Sequence, residues 1–192
     1  MLNKKLFTEL RTQMKEFDRM REEVIIISRS VLKDSKAAIY ACHRGDLKGA
    51  QELLDSAKKN ISKLNTLFKK DAYLATTGAY SDAVEEYTEA ALYIHYLIHK
   101  DIPTPKDLNV DADIYLGGLS DFTGELVRKA VNSVVAGDFE TALTIKDLVT
   151  EIYNEMLLFD WRNTPVRKKF DSIKYNLEKL EDVALKIKFK HN

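Results

Sequence analysis

Residues 4–43 contain neither glycine nor proline, and their apolar side chains recur at the spacing of a helix. Most neighbours in this stripe are three, four or seven residues apart: Leu6, Leu10, Met14, Phe17, Val24, Ile27, Val31 and Leu32. Because an α-helix has about 3.6 residues per turn, such spacing predicts one amphipathic helix over about residues 4–43. Helices in globular proteins have a mean length of about 11–12 residues. A much longer helix, such as one over residues 4–43, is typical of a helical bundle.

Glycine, aspartate and proline mark the expected ends of the other helices. Gly45-Asp46 is predicted to end the first helix and begin the second, because glycine suits the residue after a helix and aspartate caps the next one. Gly137-Asp138 repeats this signal, and Pro165 suits a first helical position. The third helix is expected to run from Asp71 or Ser81 to His99, and the fourth over about residues 112–136. The fifth is expected to end at about residue 159, and the sixth to begin at Thr164-Pro165.

Two further stretches carry local signals. Ser81-Asp82-Ala-Val-Glu85 resembles an N-terminal capping arrangement, and Gly78 is a candidate break just before it. Residues 101–113 contain Pro103 and Pro105, which remove backbone donors and favour extended chain, so this segment is predicted to be a loop.

The composition agrees with an all-α fold in a single domain. The 192 residues are 45% hydrophobic and 31% charged, with only seven glycines and three prolines. We therefore expect one helical-bundle domain over residues 1–192, with six to seven helices and long antiparallel helices. No apolar run reaches the roughly 18 residues of a membrane span, and the N-terminus has no apolar signal-peptide core. Cys42 is the only cysteine, which suits a reducing compartment. We expect no membrane association and a cytoplasmic location.

The formal net charge is zero, but the charges are unevenly placed. Residues 1–70 carry 16 basic and 9 acidic side chains, residues 71–160 carry 5 and 17, and residues 161–192 carry 9 and 4. This layout is compatible with a polyanion held by basic helices above an acidic metal site. It is equally compatible with terminal segments that neutralise the middle one by packing beside it.

Four acidic residues stand where helices are expected to bury apolar surface. Glu86 and Glu89 are three residues apart, at the entrance to the apolar run 90–98. Asp121 and Glu125 are four residues apart on a second apolar helix, with glycines close to them in sequence. Spacings of three and four place each pair on one helix face. An unpaired carboxylate is very costly to bury, so these acids predict a basic partner or a bound metal ion.

Magnesium is the expected ion, because it prefers oxygen ligands and is often held by one or two carboxylates plus substrate phosphate. Such an ion can polarise a phosphodiester and lower the pKa of an attacking water. Two alternatives remain. The acids can form solvated faces or helix caps, or a di-iron site can occupy the bundle. The di-iron reading is minor, because the Glu-x-x-His motif of such sites is absent.

The acidic helices lie in segments that resemble the translin superfamily, most closely its translin-associated factor X (TRAX) branch. The distinctive stretch is Tyr115-Leu-Gly-Gly-Leu-Ser-Asp-Phe-Thr-Gly-Glu-Leu-Val-Arg128, followed by Asn-Ser and Gly-Asp. Glu86-Tyr-Thr-Glu-Ala90, residues 27–36 and the last helix also agree with the family pattern. The short loop at 102–113 is similar to compact archaeal homologues, whereas factor X has a longer insertion there. Phe122 replaces the usual leucine.

The resemblance implies an endoribonuclease that depends on magnesium, with manganese as the alternative ion. It would act on single-stranded RNA, or on single-stranded regions of small RNA duplexes, inside a homo-oligomeric, octamer-like cage. Glu86, Glu89 and Asp121 match the family's catalytic and metal-binding acids, and Glu125 matches a further ligand. Arg29, Lys36, Arg44 and Arg128 are candidates for RNA contact, with a role in structural ion pairs as the alternative. Single-stranded DNA and a translin-like second subunit are further expected partners.

Two other functions stay open from the sequence. One is a non-catalytic protein of translin type that binds single-stranded RNA or DNA. The other is a structural bundle whose acidic residues form interhelix salt bridges and bind no metal.

Overall fold

The computed structural model describes residues 2–190, and its regular structure there is entirely helical. Seven α-helices occur within that range: α1 Lys4–His43, α2 Leu47–Phe68, α3 Gly78–His99, α4 Pro105–Leu108, α5 Ala112–Val135, α6 Phe139–Leu157 and α7 Pro165–Lys190. A 3₁₀ turn, Ala72–Thr76, lies between α2 and α3. The predicted all-α class is confirmed, and α1 has the predicted bounds.

Local capping explains most of the boundaries that the sequence predicts. Asp46 accepts a hydrogen bond from the backbone N–H of Gly49 at 2.9 Å and so begins α2. Asp138 caps α6 through the N–H of Thr141 at 3.0 Å. Gly45 and Gly137, just beyond α1 and α5, have φ of +80° and +84°. Only glycine adopts this left-handed conformation readily, so both glycines end their helices as expected.

Two local predictions differ from the structure. Helix α3 begins at Gly78, so Ser81–Glu85 lies inside it and the predicted cap there is wrong. The predicted loop 101–113 contains one helical turn, α4, which is closed by a reciprocal capping box between Thr104 and Asp107. Proline is tolerated there because Pro105 occupies the first turn, where a backbone donor would have no helical partner anyway.

The chain divides into two compact units, and the division falls within α3 between Tyr87 and Thr88. In unit 1, α1 packs along α2. The Ser56 hydroxyl donates to Asp34 at 2.9 Å, and the Asn60 amide donates to Ser30 at 3.3 Å. Because one residue number rises as the other falls, α1 and α2 are antiparallel. The single domain over residues 1–192 remains a prediction.

In unit 2, α5, α6 and α7 pack against one another. The Asn176 side-chain amide on α7 donates to the hydroxyl of the fully buried Thr123 on α5 at 2.9 Å. Tyr153 on α6 stacks on Phe170 on α7 with ring centroids 5.6 Å apart. These contacts make α5 an internal helix of unit 2, which places its acidic residues beside neighbouring elements.

Helix α1 is buried along only part of its length. Its predicted stripe is buried at Val24 and Val31, whereas Leu6, Leu10 and Met14 are 43–61% exposed. The apolar stripe is therefore buried only in the second half of α1, and its first half is exposed. No helix of the described residues is long and apolar enough to cross a bilayer.

Candidate functional site

Glu89 lies in the most buried stretch of α3. It is 8% exposed, and it is the one charged side chain among the buried polar residues that the structure describes. Residues 90–94 follow it and are all buried. Because transfer of an ionised carboxylate out of water is costly, this position requires compensating donors or positive charge. A buried acid in a soluble helix is therefore a strong candidate for function.

Glu86 lies one turn earlier on α3, in unit 1, and its side chain is 20% exposed. The Lys36 ammonium on α1 lies 3.8 Å from Glu86 Oε2. One predicted RNA contact thus forms an ion pair with one predicted metal ligand. Tyr87 follows Glu86, and burial, with a smaller effect of Asp55, raises the pKa of its phenol. Tyr87 is consequently neutral near pH 7 and does not act as a base there.

Each of the two acids of α5 has a basic partner, one on another helix and one on α5 itself. Asp121 forms an ion pair with Lys169 of α7, in which both side chains are about one-third exposed. Glu125 lies 4.0 Å from Arg128, one turn later on α5. Lys169 is not among the site residues predicted from the sequence. Its only signal there was membership of the basic segment 161–192, which does not say which lysine faces an acid.

Helices α3 and α5 meet within unit 2, close to these acids. The rings of Tyr93 and Tyr96 on α3 lie 6.4 Å and 6.0 Å from that of Phe122 on α5. Near the start of α5, the Tyr115 hydroxyl donates to the carbonyl of Pro103, just beyond the end of α3. From Tyr115 to Phe122 the residue numbers rise along α5, whereas the numbers of the residues they contact fall from Pro103 to the two tyrosines of α3. The two helices are therefore antiparallel.

This antiparallel arrangement places two of the acids on the same side of the ring contact. Glu125 is three residues beyond Phe122, and Glu89 is four residues before Tyr93 and seven before Tyr96. At about 1.5 Å of rise per residue, these offsets correspond to roughly 4.5 Å on α5 and roughly 6–10.5 Å on α3, in the same direction. The ring contacts thus show that α3 and α5 meet in the part of α3 that lies in unit 2.

Gly124 of α5 lies beside α7. A Cβ atom added at Gly124 would lie 3.8 Å from the side-chain nitrogen of Asn176. This side of α5 therefore faces α7, and Gly117 and Gly118 are both buried.

The acids suit magnesium in chemistry but do not form a complete cage. Among residues 2–190, no three His, Cys, Asp or Glu side chains converge on one point that could hold a metal ion. Magnesium does not require such a cage, because it keeps several waters and takes other oxygens from substrate phosphates. The carboxylates are therefore of the right chemical type for magnesium, and binding of an ion by them remains a prediction.

The predicted RNA contacts occupy different positions. Arg29 and Lys36 are exposed, seven residues apart and therefore near one face of α1. Arg44 is exposed at the C-terminal end of α1. Arg128 belongs to α5 in unit 2 and is about half exposed beside Glu125. The structure shows α1 as a helix with an accessible basic face, and it does not test RNA contact.

Comparison with known proteins gives a family match over most of the chain. The model of the Translin family matches residues 19–191. Translin from Gallus gallus is 26% identical over 149 residues, which cover 70% of this chain and 65% of that protein. Translin-associated protein X from Rattus norvegicus is 22% identical over 212 residues, covering 87% and 72%. The chain thus spans about 65% of the length of the curated translins that it matches.

Solved structures share the fold over nearly the whole chain. The crystal structure of apo-NeC3PO has a TM-score of 0.86 at 25% identity and covers 96% of this chain and 97% of its own. The structure of AfC3PO in complex with duplex RNA has a TM-score of 0.85 at 24% identity, with the same coverage. At these identities the likeness is one of backbone architecture.

Proposed function

The chain belongs to the translin family, and from this premise we propose that it is a metal-dependent endoribonuclease that acts on single-stranded RNA within a homo-oligomer. A similar structure contains duplex RNA, which supports a nucleic-acid ligand of this general kind. Single-stranded regions of small RNA duplexes would be alternative substrates. Single-stranded DNA is a further ligand to test.

The observation that carries the catalytic proposal is the burial of Glu89. A carboxylate that is 8% exposed has little value for solubility or for a surface salt bridge. It lies on the helix that meets α5, on the same side of the ring contact as Glu125. Asp121, three residues before Gly124, provides a second acid on α5. Carboxylate oxygens of this kind are the ligands that magnesium prefers.

The acidic residues would bind the metal ion, and the basic residues would bind the RNA strand. Glu89, Asp121 and Glu125, with Glu86 one turn earlier on α3, would hold magnesium or manganese. Such an ion supplies Lewis-acid activation of a phosphodiester and of water. Arg29, Lys36, Arg44 and Arg128 would hold phosphates of the strand. Tyr87 stays protonated near pH 7 because burial raises the pKa of its phenol, so it would not serve as the base.

Assembly is the third part of the proposal. A homo-oligomer, octamer-like as in the family pattern, would enclose the RNA and restrict cleavage to chains that fit inside. A translin-like second subunit is an alternative partner. Light scattering of the purified chain, alone and after co-expression with such a subunit, measures the composition directly.

The catalytic proposal is tested by cleavage of a fluorescent single-stranded RNA in magnesium, with EDTA as the first control. Glu89→Gln keeps the shape of the side chain and removes its charge. We expect cleavage to fall at least about 100-fold, because even groups that only support a metal ligand contribute about 10–100-fold. Glu52→Gln, at an exposed position on α2, is the matched control and should cleave like wild type. Undiminished cleavage by Glu89→Gln would exclude the mechanism.

A second candidate is a binding protein without catalysis. The ion pair between Lys169 and Asp121 favours it, because a lysine already neutralises one predicted ligand. Retention of RNA on a filter, with no cleavage in magnesium or manganese, would select this function.

A further inference from the structure

The first half of α1 carries an apolar stripe that the rest of unit 1 leaves uncovered. Leu6, Leu10 and Met14 follow one another at intervals of four residues, and each is at least 43% exposed. Phe7, at 43%, lies beside them. Among the described residues of α1, burial begins only at Val24. Single exposed apolar residues are normal, but a row along one helix face indicates a binding surface.

Unit 2 carries an apolar groove of about 430 Å³ on α5 and α6. Leu116 and Leu119 of α5 line it together with Leu148 and Ile152 of α6, and Phe159 lines it as well. Phe159 is about half exposed, and the Leu158 beside it is more exposed still. The groove is therefore open to solvent and is lined by side chains of the kind that accept an apolar helix face.

The two surfaces have opposite charge. Residues 4–21 carry six basic and three acidic side chains, whereas residues 112–157 carry three basic and eight acidic ones. Glu151 and Glu155 line the groove itself. Lys4, Arg11 and Lys15 lie roughly 100–140° around the helix from Leu10, along one flank of the stripe. Docking would place these basic side chains near the acidic side chains of the groove. Such complementary charges fix the register of the helix in the groove and raise the rate of association.

We infer that the α1 stripe of one copy docks into the α5–α6 groove of a second copy. The stripe is exposed on unit 1, and the groove is open to solvent on unit 2. The spacing of Leu6, Leu10 and Met14 provides the anchors of a helix in a groove. This contact joins two different surfaces, so it repeats from copy to copy until a ring closes. The inference rests on the proposed homo-oligomer and is independent of RNA cleavage.

Variants of each surface test the contact by light scattering of the full chain. Leu10→Glu with Met14→Glu disables the stripe, and Glu151→Lys with Glu155→Lys disables the groove. All four positions are exposed, so circular dichroism should show unchanged helicity. We expect wild type to assemble and both double variants to be monomers. Thr12→Glu and Asn154→Glu, at exposed positions on the same two helices, are the controls and should assemble like wild type.

Mixing the variants distinguishes this contact from pairing between two stripes. A groove-disabled chain keeps its stripe, and a stripe-disabled chain keeps its groove. An equimolar mixture should therefore form a pair of twice the monomer mass and grow no further. A mixture that stays monomeric, a groove variant that assembles normally, or a monomeric wild type would each overturn the inference. An assembled wild type that fails to cleave RNA would instead reject the proposed catalysis and leave this contact standing.

Discussion

The Lys169 ammonium on α7 donates a hydrogen bond to Oδ2 of Asp121 on α5, across 48 residues of sequence. The pair is partly exposed, at 31% and 34% of the two side chains. It places a fixed positive charge on one acid of the candidate site. A divalent ion that binds Asp121 would have to share or displace that charge, because both cations use the same carboxylate.

Removing the charge of Lys169 is expected to strengthen metal binding. A partly exposed ion pair contributes about 0.2–1 kcal/mol. Lys169→Met should therefore lower the half-saturating magnesium concentration by about 1.4- to 5-fold. The measurement is the rise in melting temperature during a magnesium titration, which follows binding to the folded state. Lys174→Met, at an exposed position of α7, should leave the titration unchanged. A higher half-saturating concentration in Lys169→Met would instead mean that Lys169 positions Asp121 for the ion.

The basic residues of α1 make a prediction about salt. Arg29→Ala combined with Arg44→Ala should reduce the slope of log affinity against log salt by about 1.4, since each phosphate contact to a single strand contributes about 0.7. Arg19→Ala is the matched control, because Arg19 is paired with Glu16 at 2.7 Å. Fluorescence anisotropy of labelled RNA at several salt concentrations measures the slopes. Equal slopes for the double variant and wild type would remove Arg29 and Arg44 from RNA contact.

Two serines of α1 make a prediction about stability. The hydroxyls of Ser28 and Ser35 are buried and have no hydrogen-bond partner among the described residues. Because a buried unsatisfied group costs about 1–3 kcal/mol and alanine favours the helix, Ser28→Ala and Ser35→Ala should each raise the free energy of unfolding by about 0.5–1.5 kcal/mol. Ser30→Ala is the contrast, since Ser30 accepts a hydrogen bond from Asn60. Urea unfolding checks the sign, and a loss of stability in both buried variants would refute it.

Acidification should destabilise the chain through two aspartates at helix starts. A hydrogen bond from the Thr104 hydroxyl, and then one from its backbone N–H, lowers the pKa of Asp107 from its ordinary 3.8. The Thr141 side chain, and then its N–H, lowers that of Asp138 likewise. Because the pKa of each aspartate is lower in the folded state than in the unfolded state, the stability that these hydrogen bonds contribute is fully present above pH 3.8. That contribution is lost as the pH falls through the lower pKa values of the folded state.

The pH prediction is measured as melting temperature between about pH 5 and pH 2. Asp107→Asn with Asp138→Asn keeps side chains that can cap a helix but cannot titrate. The double variant should lose less melting temperature over this range than wild type. Identical pH profiles would show that other carboxylates dominate acid unfolding.

The helix boundaries were predictable because they depend on neighbours in sequence. Asp46 and Asp138 cap their helices through N–H groups three residues later, and Gly45 and Gly137 end helices through their own backbone. The cap predicted at Ser81 was wrong because serine can cap a helix but is also tolerated within the first turn. Ser81 lies in the first turn of α3, which begins at Gly78. The 3₁₀ turn before Gly78 was not predicted, although it too has a local cap: Asp71 accepts a hydrogen bond from the backbone N–H of Tyr73 at 2.9 Å.

The candidate site was predictable only in part. Sequence motifs identified Glu86, Glu89, Asp121 and Glu125, and the segment that contains them placed the chain in its family. Sequence could not rank the four acids, whereas the structure separates a buried Glu89 from an Asp121 held by Lys169. It also could not show that α3 meets α5 through Phe122.

The sequence by itself determined where helices begin and end, which faces are apolar and which acids stand within them. These properties follow from hydrogen bonds and periodicity over a few residues. Only the tertiary structure decided which acid is buried, which lysine reaches Asp121 and which half of the α1 stripe is covered. Burial and ion pairing depend on surfaces brought together from distant parts of the chain, and periodicity says that a face is apolar without saying what packs against it.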